Sequence, residues 1–158
     1  MLRRKRKALV MYYTKTGHTA DAAEAIARGL ESSRVEATVK SIFDVDRGEL
    51  ADYSMVALGS PTRGGRPARK VKKFMKGLDK KALRKKTATT FTSYARINGR
   101  GTLRRLKKLL KRRKAKKVVR GVKFKAGAPL SLWQGKDIKE EDIVRLEELG
   151  KKLAKKGR

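Results

Sequence analysis

The sequence contains no cysteine and only one histidine, His18, among its 158 residues. It can therefore form no disulfide, and it has neither a thiolate nucleophile nor a cysteine ligand for an iron–sulfur cluster. A histidine-based metal site or a serine–histidine–aspartate triad would have to depend on that one residue. Redox chemistry in this chain would therefore have to come from a bound cofactor.

Acidic residues are also scarce, with 15 against 45 lysines and arginines and a net charge of +30. Residues 63–125 hold 27 basic residues and one acid, Asp79, whereas residues 8–62 hold 5 basic and 8 acidic residues. Solvation of a helix surface is the usual reason for a charge run, but this excess is larger than solvation requires. Two interpretations remain open: docking to acidic protein partners, and non-specific binding of nucleic acid or another polyanion. Aromatic residues, which RNA-binding modules usually add for stacking, make up only 6% of the chain.

Long apolar runs are absent. None approaches the roughly 20 residues that span a bilayer, so membrane insertion is not expected. Residues 1–6 are basic, but the apolar stretch after them is shorter than the roughly 7–15 residues of a signal-peptide core. We therefore expect a basic lead-in, a cytoplasmic location and a single domain over residues 1–158.

Strand and helix patterns alternate along the chain. Short apolar or alternating runs predict five strands, over residues 7–13, 35–42, 53–62, 87–92 and 117–124. Helical spacing predicts four helices, over residues 20–30, 68–78, 103–110 and 143–153, with a short helix at most in 43–52. Pro67 is expected in the first turn of the second helix, and Trp133 is expected to cover the sheet's edge. This alternation implies a parallel sheet with helices on both faces.

A hydroxyl-rich loop joins the first predicted strand to the first helix. Thr14, Thr16 and Thr19 alternate so that their hydroxyls can line one side of the loop, and Gly17 lets the backbone turn and approach a ligand closely. Hydroxyls and helix N-terminal N–H groups are the convergent donors that a phosphate monoester needs. The loop lacks both the Gly-Lys-Ser/Thr ending of nucleoside triphosphate loops and the Gly-x-Gly-x-x-Gly of dinucleotide loops. Lys15 either adds charge toward the phosphate or is solvated.

The string Thr14-Lys15-Thr16-Gly17-His18-Thr19 resembles the Thr-x-Thr-Gly-x-Thr phosphate loop of flavodoxins, whose cofactor is FMN. Two further loops match the family in order. After the third strand, where the family brings a loop to the flavin ring, stand Ser60, Pro61, Thr62, Arg63 and Gly64. After the fourth strand, where the family places its second flavin loop, stand Ser93, Tyr94, Ala95 and Gly99. The resemblance implies non-covalently bound FMN and a flavodoxin-like three-layer α/β sandwich with a five-stranded parallel sheet of order 2-1-3-4-5. In that order the basic segments 69–76 and 104–114 are expected to lie side by side on one face of the sheet.

The second loop departs from the electron-transfer flavodoxins. Arg63 stands about where they usually place an aromatic residue, which leaves Tyr94 as the candidate for stacking on the ring. Pro61-Thr62-Arg63 instead resembles the flavodoxin-like NAD(P)H:quinone oxidoreductases, although these continue with Phe-Gly rather than Gly-Gly. A Tyr-Tyr-x-x-x-Gly-His string ending at His18 resembles the same enzymes, and it makes a proton-donating role for that residue an open alternative. Arg63 either contacts the flavin as a hydrogen-bond donor or nearby cation, or is simply exposed.

These patterns predict an FMN-binding electron-transfer flavoprotein with an unusually cationic surface and acidic redox partner proteins. An electron carrier is expected rather than a turnover enzyme, and neither a catalytic residue nor a metal ligand is predicted. Two alternatives remain open. One is an FMN-dependent NAD(P)H or quinone oxidoreductase, and the other is a polyanion-binding module that keeps the fold and binds nucleic acid through residues 63–125.

Overall fold

Strands and helices alternate through residues 5–126 and 138–158, the part of the chain that the computed structural model describes. Residues 1–4, and with them most of the basic lead-in, lie outside the described residues, as does Trp133. The described elements are β1 (Arg6–Tyr12), α1 (His18–Ser32), β2 (Val35–Ser41), β3 (Met55–Arg63), β4 (Arg66–Pro67), α2 (Arg69–Lys76), β5 (Thr87–Tyr94), α3 (Arg100–Arg112), β6 (Lys117–Lys125) and α4 (Glu140–Lys156). Two short 3₁₀-helices, Ile42–Asp44 and Arg47–Asp52, occupy the acidic segment between β2 and β3.

The five long strands form one parallel sheet in the order β2-β1-β3-β5-β6. Counted without the two-residue β4, this is the order 2-1-3-4-5, so the predicted flavodoxin-like α/β sheet is confirmed. β1 pairs with β2 on one side and with β3 on the other. The strand order therefore reverses at β1 and β3, where parallel α/β sheets open a crevice at the carboxyl ends of the strands.

Helices cover both faces of the sheet, and each face has its own apolar core. α1 and α4 pack on one face through fully buried side chains such as Ile26 and Leu146. α2 and α3 pack on the other face through side chains such as Val71 and Leu106. Burying an aliphatic side chain of this size contributes roughly 1.5–3 kcal/mol to folding. The two most basic helices therefore share one face, as the sequence predicts.

The region after β3 differs from the prediction. β3 continues through Arg63, and the chain then folds back as a hairpin in which Arg63 pairs with Arg66. The two residues of the turn, Gly64 and Gly65, have φ of +57° and +78°, which glycine tolerates and which a two-residue hairpin turn requires. Pro67 belongs to β4 rather than to the first turn of α2, which begins two residues later at Arg69. A two-residue edge strand tolerates proline because it has few ladder hydrogen bonds to lose.

Candidate functional site

The three predicted loops meet at one edge of the sheet. They follow β1, β3 and β5, which are neighbours in a parallel sheet, so their carboxyl ends lie together. The Tyr13 N–H donates to the carbonyl oxygen of Gly59 at 3.1 Å and joins the ends of β1 and β3. Pro61 and Ser93 are register partners across β3 and β5.

The loop between β1 and α1 turns at Gly17, whose φ is +93°. Its N–H donates to the Thr14 hydroxyl oxygen at 2.9 Å. A side chain at Gly17 would meet nothing within 4 Å, so backbone conformation rather than crowding favours glycine there. Lys15 and Thr16 are exposed and Thr14 is half-buried, which leaves a polar loop open to a ligand.

Helix α1 begins directly after this turn, at His18. Within the described residues, no side-chain hydrogen bond caps its N-terminus. The first N–H groups of a helix need acceptors from outside the helix, and the helix dipole favours an anion there. The uncapped end of this 15-residue helix, with the Thr14 and Thr16 hydroxyls beside it, therefore fits the phosphate of FMN. His18 itself is buried, with 5% of its surface exposed.

Thr19 is placed differently from the other two threonines of the loop. Only 1% of its surface is exposed, and its hydroxyl oxygen lies 3.3 Å from that of Ser93. This contact joins α1 to the end of β5, so the hydroxyls of Thr19 and Ser93 have a structural partner in each other. The accessible donors of the loop are therefore Thr14, Lys15 and Thr16.

The hairpin after β3 is fixed by Ser60, which is fully buried. The Ser60 hydroxyl donates to the carbonyl oxygen of Pro61 at 2.8 Å and accepts the Ala68 N–H at 2.9 Å. Ser60 thus holds both sides of the hairpin rather than facing a ligand. Arg63 and Gly64 are exposed at the tip of the hairpin, and Pro61 and Thr62 are half-buried.

The loop after β5 packs against that hairpin. Thr92 donates to the carbonyl oxygen of Ser60 at 2.6 Å, and its hydroxyl oxygen lies 2.9 Å from that of Thr62. A side chain at Gly99 would lie 2.6 Å from the Thr92 methyl carbon, so glycine is required for this approach. Tyr94, at the end of β5, is half-buried, as is the following residue, Ala95.

The sequence pattern does not identify two positioning residues, Thr92 and Asn98. The pattern predicts Thr92 only as the last residue of a strand, although its hydroxyl links β3 to the end of β5. Asn98 accepts hydrogen bonds from the Arg100 N–H at 2.9 Å and from the Lys123 ammonium at 2.7 Å, which anchors the loop after β5 to β6. The available signals were a threonine-rich buried strand and an asparagine just before a helix, since asparagine often caps helices.

A groove of about 840 Å³ lies beside these loops rather than within them. Its walls are α2 and α3, and its end is formed by the hairpin and by Tyr13. Of the predicted site residues, Lys15 and Arg63 also line this groove. The three loops and the groove are therefore neighbours on the surface, and they share Lys15 and Arg63.

The three loops hold the exposed cations Lys15, Arg63 and Arg96. Lys40 and Lys86 are the described lysines with displaced pKa values, and neither belongs to the three loops. The hydrogen bond that the Lys40 ammonium donates to the Glu49 carboxylate raises the pKa of Lys40, and burial lowers the pKa of Lys86. Within the described ranges no group of three or more histidine or acidic side chains is placed to hold a metal ion. None of the helices described there is long and apolar enough to cross a membrane.

Comparison with known proteins places this geometry in a family. The sequence model of the family described as flavodoxin matches residues 10–136. The structure of a flavodoxin from the domain Archaea has a TM-score of 0.79 at 24% identity, covering 96% of this chain and 98% of that one. A short-chain flavodoxin associated with a PDU bacterial microcompartment has a TM-score of 0.79 at 21% identity, covering 97% and 99%.

Curated relatives are similar over a shorter stretch. The NAD(P)H dehydrogenase (quinone) of Caulobacter vibrioides is 31% identical over 117 residues, which cover 59% of each chain. The chain spans between 45% and 59% of the length of the curated relatives that it matches.

Proposed function

Because this chain belongs to the flavodoxin family, whose cofactor is FMN, we propose that it binds FMN at the three loops and carries electrons between other redox proteins. The observation that carries the proposal is the uncapped N-terminus of α1 beside Thr14 and Thr16. Backbone donors, hydroxyls and a helix dipole converge there, which is the donor set that a phosphate monoester requires. This set lies at the reversal of strand order, where parallel α/β folds bind their ligands.

Each loop has a distinct part in this proposal. Thr14, Lys15, Thr16 and the start of α1 hold the phosphate. The hairpin tip at Arg63 and the loop from Tyr94 to Gly99 flank the ring, with Tyr94 as the aromatic face and Arg63 as a nearby cation. Bound FMN supplies the electron-accepting chemistry. The protein supplies the anchor, the orientation and the surrounding positive charge.

The cationic surface supports acidic proteins as redox partners. A surface dominated by one sign of charge speeds encounter with partners of the opposite sign, most strongly at low salt. Among the described residues, none of the lysines and arginines of α2 and α3 forms an ion pair. That charge is therefore available to a partner.

A second candidate function is an FMN-dependent NAD(P)H:quinone oxidoreductase. Two observations favour it: the name of the Caulobacter vibrioides relative, and the Pro61-Thr62-Arg63 segment at the ring-side loop. Steady-state oxidation of NAD(P)H with a quinone by the FMN-loaded protein separates the two candidates. Turnover supports the enzyme, and its absence together with rapid electron exchange with a carrier protein supports the electron-transfer role.

The phosphate anchor is tested by replacing the two accessible threonines. In the Thr14→Ala/Thr16→Ala variant each missing charge-assisted hydrogen bond is worth roughly 1.5–3 kcal/mol. The Kd for FMN should therefore rise at least about a hundredfold, measured by quenching of flavin fluorescence. Riboflavin lacks the phosphate, so its Kd should change little.

The matched control is Thr14→Ser/Thr16→Ser, which keeps both hydroxyls and should bind FMN nearly as the wild type does. Circular dichroism establishes that each variant is folded. Unchanged FMN affinity in a folded Thr14→Ala/Thr16→Ala variant would show that the phosphate does not bind at this loop.

A further inference from the structure

The groove between α2 and α3 concentrates positive charge in a concave surface. Of its 13 lining residues, nine are lysine or arginine and none is acidic. Arg69 and Lys72 of α2 line one side, and Arg105, Lys108 and Arg112 of α3 line the other. Within the described part of the chain none of these cations takes part in an ion pair. Like charges held this close repel one another, and a multivalent anion in the groove relieves that repulsion.

The cations of α3 span a length that fits a short run of phosphates. Arg105 and Arg112 are seven positions apart, which corresponds to about 10 Å along a helix axis. A strand with the axial rise of a duplex strand, about 3.4 Å per phosphate, places about three phosphates over that length. The bases of a duplex are stacked on one another inside the double helix, whereas the bases of a single strand are free to stack on an aromatic side chain.

An aromatic pair, half-buried Tyr13 and exposed Phe43, lies at one end of the groove. Tyr13 lines the groove, and its ring centroid is 5.9 Å from that of Phe43 in an edge-to-face arrangement. Phe43 is 65% exposed, so much of its ring is accessible to solvent. The Lys70 ammonium, which also belongs to the groove, lies 5.5 Å from the Phe43 centroid. A cationic groove that ends at an open aromatic ring is the combination by which proteins bind single-stranded nucleic acid.

We propose that this groove binds single-stranded nucleic acid, with phosphates on the cations of α2 and α3 and a base stacked on Phe43. The aromatic pair distinguishes this ligand from an acidic protein segment, which has no base to stack. The low aromatic content of the whole chain does not oppose it, because two of the aromatic rings lie at the groove. The proposal does not depend on FMN binding, since only Lys15 and Arg63 among the nine cations that line the groove also belong to the predicted FMN site.

The charge contribution is tested by two pairs of substitutions that alter the same helices equally. Lys72→Ala/Lys108→Ala removes two groove cations, and Lys73→Ala/Lys107→Ala removes the adjacent exposed lysines, which do not line the groove. Binding of a fluorescent oligothymidylate of about 12 nucleotides is followed by anisotropy. Titrations run from about 0.05 to about 0.5 M salt with FMN in excess.

The groove pair should weaken binding about tenfold, and the slope of log K against log salt should become shallower by about 1.4, or about 0.7 for each phosphate that is no longer neutralised. The control pair should stay within about twofold of the wild type, because only the distant field changes. Equal weakening by the two pairs would mean a diffuse surface field and would overturn the groove assignment.

The base contribution is tested by Phe43→Ala, with Val144→Ala on α4 as the control for removal of an exposed apolar side chain. Phe43→Ala should weaken oligothymidylate binding about fivefold or more and leave heparin, a polyanion without bases, unaffected. Val144→Ala should change neither. An equal effect of Phe43→Ala on heparin, or no effect on the oligonucleotide, would contradict base stacking. Tighter wild-type binding of polyglutamate or of a duplex than of the single strand would also overturn the proposal.

Discussion

At the scale of single residues, Lys86 is a charged side chain that is buried in the folded protein. Only 8% of its surface is exposed, and its ammonium donates a hydrogen bond to the carbonyl oxygen of Tyr53. Burial lowers the pKa of Lys86, and attraction to Asp52 offsets this in part. The folded protein therefore binds this proton less tightly than the unfolded chain does.

That difference makes the effect of Lys86→Met depend on pH. The unfolded chain keeps the proton up to an ordinary lysine pKa of about 10.4, so between the lowered pKa and that value it binds more protons than the folded state. The wild type should gain stability relative to Lys86→Met as pH rises through this window, because deprotonation relieves the burial of the charge. Urea unfolding of both proteins from about pH 7 to about pH 10 measures the difference.

Lys80→Met, at an exposed position, is the matched control for replacing a lysine by methionine. If the difference from wild type varied with pH no more for Lys86→Met than for Lys80→Met, the ammonium of Lys86 would be solvated in the folded protein.

At the scale of elements, α1 and α4 cross with their backbones almost in contact. A side chain at Gly29 would lie 1.9 Å from the carbonyl oxygen of Glu147, and one at Gly150 would lie 2.2 Å from that of Ile26. No carbon atom fits at such distances, so any substitution pushes one helix away from the other. The close crossing therefore requires glycine in both helices, although glycine is a poor helix former.

Gly150→Ala should therefore destabilise the protein. Alanine favours a helix over glycine by about 1 kcal/mol, but the forced separation of α1 and α4 disturbs the core by about 1–3 kcal/mol or more. The free energy of unfolding in urea should fall, and the melting temperature with it. Gly48→Ala is the control, since its added carbon would meet only an Asp46 side-chain oxygen at 3.7 Å, and it should stay within about 0.5 kcal/mol of wild type. A neutral or stabilising Gly150→Ala would contradict the close crossing.

Some features at this scale can be predicted from the sequence, and others cannot. The strands, the long helices and the sheet order follow from apolar periodicity and from the flavodoxin resemblance, because each signal lies within a short segment. The hairpin after β3 is not predicted because it depends on the Ser60 hydroxyl meeting the Ala68 N–H, eight positions away. The inward placement of Thr19 is not predicted for the same reason, since its partner Ser93 is 74 positions away. The position of each loop can be predicted from the residues of the loop itself. The direction in which its hydroxyls point depends on contacts with residues far away in the sequence.

At the scale of the whole molecule, positive charge is uneven and poorly compensated. Four ion pairs occur among the described residues, and they involve α1, α4, the strand β2 and the 3₁₀-helix Arg47–Asp52. The basic helices α2 and α3 have no acidic residue of their own. Their field therefore extends toward the carboxyl edge of the sheet, where Lys15 and Arg63 add to it.

This field should raise the reduction potential of FMN bound at the three loops. Reduction adds negative charge to the ring, and two unit charges about 10 Å apart interact by roughly 0.4 kcal/mol in water. Several uncompensated cations near the site then favour the reduced form by about 1–3 kcal/mol after screening. At about 59 mV for each tenfold change in a one-electron equilibrium, this amounts to tens of millivolts to roughly 100 mV.

The contribution of this field to the reduction potential can be measured by varying the salt concentration. Raising the salt from about 0.01 M to about 1 M shortens the Debye length from about 30 Å to about 3 Å. A redox titration of the FMN-loaded protein should give a potential that falls by tens of millivolts over this range. Free FMN in the same salts supplies the shift that is independent of the protein. A potential of the bound cofactor that moves no more than that of free FMN would mean that local hydrogen bonds and stacking at the ring, rather than the charge of α2 and α3, set the potential.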